Sequence, residues 1–363
     1  MSARLHDVVV VGGGPAGLAV AAAAARSGLD VLVVEGRPFP VDQPCGEGLL
    51  PAGVRALDRL GARAGLVAAE ATAIGALRWV DAAGPSVEVR LPAPGGLGVR
   101  RTALSAALLE AARRAGASFH GAEATGHRRG VEAVEVLTGA GPVRGRVLVA
   151  ADGRGSRIRW REGLDAPLPR RPRFGVRRHL AIAPWSSAVE VHLGDGVEAY
   201  LTPTGTGRVG VAFLFEREVP GGWEAQLARF PALAARLGGA AAASDDRGAG
   251  PLVRASTARV LDRLVLLGDA AGSVDALSGE GVSIALAGAL DLAELLPEAV
   301  SAGGSRGALL GWERAWHRRQ LRAAAWTSIL LGLARRPALR RGILSLAAGR
   351  PRLLQRLVAF ALG

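Results

Sequence analysis

The sequence predicts an α/β protein with an antiparallel-sheet (α+β) insertion and a helical C-terminus. Three observations carry this. Residues 7–35 (DVVVVGGGPAGLAVAAAAARSGLDVLVVE) read as strand, Gly-rich turn, Ala-rich helix and second strand, a βαβ unit. Two further apolar runs, 143–150 and 264–267, each lead to an acid, Asp152 and Asp269. Between them, 174–215 carries short alternating runs (189–193, 197–201, 209–215) separated by Gly turns, the pattern of an antiparallel sheet.

The first unit has G-x-G-x-x-G in its turn, Gly12-Gly13-Gly14-Pro15-Ala16-Gly17, and an acid, Glu35, at the end of its second strand. Gly12 allows the tight turn. Gly14 lets backbone approach a pyrophosphate with no Cβ in the way, and Gly17 lets helix pack on strand. The free N–H groups and positive end of the helix then face phosphates. Glu35 can accept from both hydroxyls of an adenosine ribose. An acid rather than an arginine there favours FAD or NAD over NADP. The motif alone does not choose between FAD and NAD.

Length and composition bound the rest. The 363 residues suffice for one large or two modest domains. A single cysteine, Cys45, excludes an internal disulfide or Cys-cluster metal site, and six scattered histidines make no metal-ligand spacing. No metal is expected. The net charge is +13, and all 45 basic residues are arginine. With aromatics at 4%, the interleaved pattern of a nucleic-acid surface is missing. Charged residues Arg4, His6 and Asp7 lead straight into the first strand, so a signal peptide is not expected, and the run 8–11 is too short to span a bilayer. A cytoplasmic protein is expected.

In chain order, a Pro-rich loop (38–53) follows Glu35, Gly36 and Arg37 and contains Cys45-Gly46-Glu47-Gly48. Then come a helix over 52–60, two strands within 73–91 around a turn at 83–86, and a helix over 101–116 with Leu104, Leu108 and Ala112 on one face. Strands follow at 118–121, 131–137 and 143–150. A basic, Pro-rich linker (161–173) leads to the alternating strands and a helix over 223–237. A Gly turn, Ser278-Gly279-Glu280-Gly281, opens a long helix to about 296. The expected division is 1–72, 99–160 and 251–300 for a discontinuous nucleotide domain of Rossmann type, 73–98 and 161–250 for a substrate-binding sheet domain, and 301–363 for the helical segment.

Taken together, five pieces are more specific than any one: the GGGPAG turn with Glu35, Arg101 in R-x-x-L-x-x-x-L, ADGRGSRIR at 151–159, GDAAG at 268–272 and SGEG at 278–281. Over most of 5–300 the chain resembles the FAD-dependent oxidoreductases of the p-hydroxybenzoate hydroxylase and geranylgeranyl reductase group, similar to group A flavin monooxygenases. The resemblance implies a glutathione reductase 2 type FAD fold. It implies FAD contacts from Gly12 to Gly17, from Glu35 with Gly36 and Arg37, and from the Cys45-Gly46 loop. It places Arg101 at the phosphate or ribityl region, Asp152-Gly153 near the pyrophosphate, and Gly268-Asp269 at a ribityl hydroxyl. Gly279, Glu280 and Gly281 would open a helix toward the flavin C2=O and N1, where its dipole favours the reduced ring. NAD(P)H would be a transient reductant, consistent with the lack of a second G-x-G-x-x-G.

Within the group, two chemistries compete. Cys45-Gly46-Glu47-Gly48 and the Gly-Glu-Gly turn resemble the reductase branch. The reductases' aromatic Y-x-W-x-F-P motif reads Tyr200-Leu201-Thr202-Pro203 here, which looks more like the hydroxylases. The halogenases' active-site lysine is missing, because the chain has no lysine. The first expectation is an NAD(P)H-dependent monooxygenase using O2 on a hydrophobic, polycyclic or isoprenoid-type metabolite. The alternatives are saturation of isoprenoid double bonds and, from another class, a non-catalytic FAD-binding protein. The flavin carries the chemistry, so no side-chain triad is expected, and Cys45, Glu47 and Tyr200 are the candidates for acting on it. Glu47 is read as a cap on the next helix or as a proton donor. His179 and His192 are read as surface or core residues. The tail mixes apolar runs (329–331, 344–348, 353–354, 357–362) with arginines, an amphipathic pattern with two readings. One is a membrane-surface or lipophilic-substrate lid; the other is a helical pair packed on the nucleotide domain.

Overall fold

The computed structural model describes residues 4–66, 70–82, 84–217, 219, 221–350 and 355–356. Residue 83 of the expected 83–86 turn, Arg352 and the apolar runs 353–354 and 357–362 lie outside the described residues.

The apolar runs assemble as a parallel sheet. Leu5–Val11 pairs in parallel with Val143–Ala150 on one side and Val31–Val34 on the other. Leu264–Leu266 and Ser118–His120 extend it outward, also in parallel. Val8, Val9 and Val10 are fully buried, as expected of strands covered on both faces. One cover is the helix Pro15–Arg26 against Gly281–Ser301, where a Cβ on Gly17 would stand 1.9 Å from the Gly12 carbonyl oxygen. Helix Arg101–Arg114 packs beside them through Leu104, Leu108 and Ala112, all buried. The run near 131–137 becomes one arm of a hairpin, Ala124–Arg129 with Val134–Thr138, on the edge of Val143–Ala150.

The second sheet has seven strands in the order Arg247–Ala249, Arg173–Leu180, Val209–Glu216, Val197–Pro203, Ala188–Leu193, Ala76–Asp81, Ser86–Arg90. It is antiparallel with one departure from expectation: Ala188–Leu193 and Ala76–Asp81 run parallel. These strands come from separate parts of the chain, so no hairpin turn dictates their direction. The expected helix over 223–237 is two short ones, Trp223–Leu227 and Pro231–Leu237. Pro231 has no N–H for an interior turn and sits instead at a helix start. A small third sheet, Gly48–Leu49 with Gly96–Val99 and Ala71–Ile74, ties the 38–53 loop to the body.

The tail forms two helices, Arg306–Ala334 and Pro337–Gly349. Trp312 and Trp316 are buried and stacked at 5.3 Å, and Trp312 Nε1 donates to the Gly288 carbonyl at 2.8 Å. A Cβ on Gly288 would meet Trp316 at 2.2 Å, so only glycine admits this packing. The second helix leans on the seven-stranded sheet, where buried Arg340 reaches Asp81 at 2.5 Å.

Candidate active site

A cavity of about 650 Å³ lies where the carboxyl ends of the parallel strands meet the face of the second sheet. One end is polar and built largely from backbone. Gly14, Pro15 and Ala16 line it at the N-terminus of Pro15–Arg26, and Gly279 and Gly281 line it at the N-terminus of Gly281–Ser301. Among the described residues neither helix start carries a side-chain cap, and a helix start of this kind presents its first N–H groups to an anion. A Cβ on Gly14, Gly153, Gly279 or Gly281 would meet nothing within 4 Å; it would enter the cavity instead.

Charged side chains complete this end. Arg101 is 9% exposed, and its Nε and Nη1 have no hydrogen-bond partner among the described residues. Asp152 presents Oδ1 unpartnered, while Oδ2 accepts from the Ile158 amide at 3.3 Å. Burial pushes its carboxyl above the usual range against the hydrogen bonds from Ser156 and Ile158. Asp269 faces Arg154 Nη2 at 3.5 Å. Uncapped helix starts, an unpaired buried arginine and open space at the glycines suit an anionic dinucleotide. The acids suit a hydroxyl-bearing chain.

The Gly-rich turn is organised around Glu35. Its Oε2 accepts from the Gly13 amide at 2.8 Å, and its Oε1 accepts from the Arg37 amide and Nε, each at 2.9 Å. Burial works to raise this carboxyl, but the hydrogen bonds from Arg37 and Gly13 outweigh it and hold it below the usual range. Gly12, Gly13, Gly17, Glu35 and Gly36 do not line the cavity; they shape the turn that does. Gly12 sits at φ 110, where a Cβ would stand 2.3 Å from the Ala151 carbonyl oxygen. A Cβ on Gly36 would meet the Glu123 backbone at 2.9 Å. Glu280 also stands away from the cavity wall, unlike its glycine neighbours. Burial raises its carboxyl to about 7, which nearby Ser278 offsets only in part.

Arg159, quoted in the 151–159 motif without a role, proves to be the residue that joins two of the strand ends. It is fully buried, reaches Asp165 at 2.6 Å and donates to the carbonyls of Arg154 at 2.8 Å and Ala270 at 3.0 Å. The Asp152 and Asp269 loops are thereby held together.

The other end is apolar. Leu50, Ile74, Leu77, Trp79, Val189 and Val191 line it and pack as one cluster. Trp326 and Leu330 of the tail helix line it too; Leu330 falls in the apolar run 329–331, whereas Trp326 was not singled out. Tyr200 lines the cavity, but its hydroxyl donates to the Leu277 carbonyl at 2.7 Å, just before the Gly279 turn. Burial raises the phenol well above its ordinary value.

Between the two ends runs 42–48. Cys45 Sγ accepts from the Glu47 amide at 3.3 Å. Glu47 does not cap the next helix, Pro51–Leu60. Its Oε1 accepts from the Arg101 amide at 2.9 Å, so it caps the start of a helix more than fifty residues away. Its other oxygen meets His179 Nε2. His179 is a core residue, fully buried, and burial lowers its pKa against the pull of Glu47. His192 is buried behind the sheet on Glu190, at 3.0 Å.

A βαβ phosphate turn, two uncapped helix starts and a covering sheet are the architecture of a dinucleotide-binding protein. The chain belongs to the FAD binding domain family, whose profile matches residues 6–214. A menaquinone reductase of Mycobacterium tuberculosis (strain H37Rv) is 33% identical over 320 residues, 80% of this chain and 76% of that protein. A digeranylgeranylglycerophospholipid reductase of Methanoculleus marisnigri is 28% identical over 337 residues, 86% of this chain and 81% of that one. Among solved structures, the flavin-dependent brominase Bmp2 superposes with a TM-score of 0.84 at 19% identity, covering 99% of this chain and 93% of that one, a likeness of fold alone. The chain is an FAD-dependent oxidoreductase.

Proposed function

We propose that the protein is a reductase that saturates a carbon–carbon double bond in an isoprenoid-type chain. Bound FAD supplies the hydride and is itself replenished by NADH or NADPH. The observation that carries this reading is the apolar end of the cavity, whose wall of Leu50, Ile74, Leu77, Trp79, Val189, Val191, Trp326 and Leu330 has no charged side chain. Such a wall accepts hydrocarbon and disfavours an ionised group, which would lose its hydration unpaired. The names of the reductase relatives support reduction over oxygen insertion.

In this reading, Gly14 to Ala16, Arg37, Arg101, Asp152, Gly153, Gly268, Asp269, Gly279 and Gly281 hold FAD on the turn that Gly12, Gly13, Gly17 and Glu35 shape, and the sheet of 73–98 and 161–250 holds the substrate. The segment beyond 301 contributes the wall at Trp326 and Leu330. Glu47 and Tyr200 are committed to hydrogen bonds, so Cys45 is the uncommitted hydrogen donor of the three candidates. Peripheral contact with a bilayer fits the exposed side of the tail helices, where Leu339, Ile343 and Leu346 stand beside arginines. Among the described residues no helix is long and apolar enough to cross a membrane.

Oxygen separates this from hydroxylation. Enzyme reduced with NAD(P)H under anaerobic conditions is mixed with a geranylgeranyl lipid, which has no quinone ring that could take up the two hydrogens, and the product is weighed by mass spectrometry. A gain of two hydrogens without O2 is expected. A product that forms only with O2 and carries an added oxygen would establish hydroxylation instead.

A further inference from the structure

We propose that Glu47 and His179 are positioning residues: together they latch the 42–48 loop, which borders both ends of the cavity, so that Cys45 and Gly46 face the reacting space. The catalytic meaning of the latch rests on the reductase reading; its first readout does not.

The argument starts from the backbone. Glu47 sits at φ 59, one of two non-glycine residues with positive φ among those described. That conformation strains an L-residue, and glycine would adopt it freely. Glutamate there implies that the side chain is needed, since such a conformation persists only where the surroundings over-determine it.

The side chain is fully engaged. Its exposure is 1%, and both oxygens accept, from the Arg101 amide and from His179 Nε2, with Arg177 Nη2 at 3.8 Å from Oε1. The histidine's tautomer follows from its other side. Nδ1 meets Arg100 Nη1, Arg177 Nη1 at 2.9 Å and Ser244 Oγ at 2.9 Å. A guanidinium can only donate, so Nδ1 must offer its lone pair and the ring proton sits on Nε2, aimed at Glu47. Burial, with the two nearby guanidiniums, pushes the ring's pKa down against the pull of Glu47.

The same strand grips the far end of the loop. Arg177 Nη2 donates to Asp42 Oδ1 at 3.0 Å and to the Gln43 carbonyl at 3.4 Å. Strand Arg173–Leu180 of the covering sheet therefore holds the loop at Asp42 and at Glu47, with Cys45 between. The sheet that lines the substrate end thus sets the loop at the junction with the cofactor end.

Cys45 is the only thiol in the chain, so its alkylation reports on this loop alone. The FAD-loaded protein is treated with iodoacetamide, and modification is followed by mass. His179→Phe removes the donor to Glu47 and is expected to speed modification about tenfold or more. Glu47→Gln is expected to do the same, because either orientation of the amide leaves a donor facing a donor. His179→Gln is the rescue: its N–H can reach Glu47 and its carbonyl can accept from Arg177 or Arg100, so its rate should stay within about twofold of the parent. FAD affinity should stay within about threefold throughout. Once a substrate is in hand, His179→Phe should lower kcat with KM little changed. A parental rate for both Glu47→Gln and His179→Phe, or a His179→Gln rate as fast as theirs, would overturn the latch. If His179→Phe does not fold, the contrast between Glu47→Gln and His179→Gln decides alone. Failure of the anaerobic reduction assay would overturn the reductase reading and leave these rates to judge the latch.

Discussion

The two ends of the cavity are built by different means. The end proposed to hold FAD is made of backbone: turns at Gly12–Gly17, Gly153 and Gly279–Gly281 whose helix starts carry no side-chain cap and whose Gly14, Gly153, Gly279 and Gly281 have open space where Cβ atoms would be. The apolar end is made of side chains from four separated strands and loops and one tail helix. Backbone sites need particular glycines at fixed spacing, and a substitution there changes the turn itself. Side-chain sites need only volume and polarity, which many residues supply. The first end should therefore fail abruptly under mutation and the second by degrees.

The largest effect is expected at Gly17. Alanine would put its Cβ 1.9 Å from the Gly12 carbonyl oxygen, a backbone atom that cannot step aside. Gly17→Ala should purify without FAD, bind added FAD about a hundredfold more weakly (about 2.7 kcal/mol) and melt earlier. Gly14→Ala sharpens the point, because its Cβ meets nothing within 4 Å in the protein. That variant should keep the melting temperature of the apoprotein and still lose about tenfold in FAD affinity. Parental FAD affinity in Gly14→Ala would mean that the open space beside it is not the cofactor's.

The second prediction divides the two faces of one strand. On Ala188–Leu193, Val189 and Val191 face the cavity, while Glu190 points behind the sheet to His192 at 3.0 Å, Trp185 Nε1 at 2.9 Å and Arg236 at 3.1 Å. Burial acts to raise the Glu190 carboxyl, but these partners hold it down to about 2 against an ordinary 4.5. A carboxyl lowered on folding contributes stability that is fully present above about pH 4.5 and is lost as the pH falls toward 2. Its size is on the order of 3 kcal/mol. Glu190→Gln should thus lower the urea midpoint at pH 7, flatten the decline of stability below pH 4.5 and leave FAD affinity unchanged. An unaltered acid limb would show that the partners do not hold this charge.

How much of this was legible in the sequence follows the same divide. The cofactor end could be read because its glycines answer to local backbone requirements: Gly12 to a positive φ, Gly17 to a close approach. Glu35 was read as an acceptor for ribose hydroxyls, whereas its oxygens accept from the Gly13 amide and from Arg37, a turn role the motif does not spell out. Glu280 belongs to the same motif yet stands off the wall, since a motif fixes the turn and not every side chain's direction. The apolar end was beyond reach because its wall depends on pairings such as Ala76–Asp81 against Ala188–Leu193, over a hundred residues apart and parallel. Glu47 was misassigned to the next helix for the same reason. A cap is ordinarily sought within a turn or so of its residue, and this one reaches Arg101 across the third sheet. Trp326 carried no signal at all; one tryptophan in an Arg-rich helix looks like any other.

Trp326 supplies a graded test of the apolar end. Trp326→Ala enlarges the cavity without touching the turns proposed to hold FAD. Long-chain substrate should lose about tenfold in kcat/KM (about 1.4 kcal/mol), while FAD affinity and the rate of flavin reduction by nicotinamide stay at the parental value. Equal loss for short and long chains would place the chain elsewhere.

The smallest effect is expected on the outer side of the same tail. Leu339, Ile343 and Leu346 are 44%, 38% and 59% exposed, and their spacing of four and three puts them on one face of Pro337–Gly349. From 314 to 350 there is no Asp or Glu, and Arg336, Arg341 and Arg350 are exposed around the stripe. An apolar stripe among unopposed arginines suits the surface of an anionic bilayer, where each buried side chain and each arginine adds a little to the affinity. Ile343→Glu with Leu346→Glu should weaken sedimentation with phosphatidylglycerol vesicles about fivefold, and wild type should bind phosphatidylcholine vesicles more weakly than anionic ones. Turnover of a detergent-dispersed short-chain substrate should not change, because the stripe is exposed and none of its residues lines the cavity, as Trp326 and Leu330 do. If wild type ignores anionic vesicles, the stripe is no membrane face. If the variant loses turnover on the dispersed substrate as well, the inner and outer sides of the tail are not independent, and the graded behaviour expected of the apolar end extends through the helix to its surface.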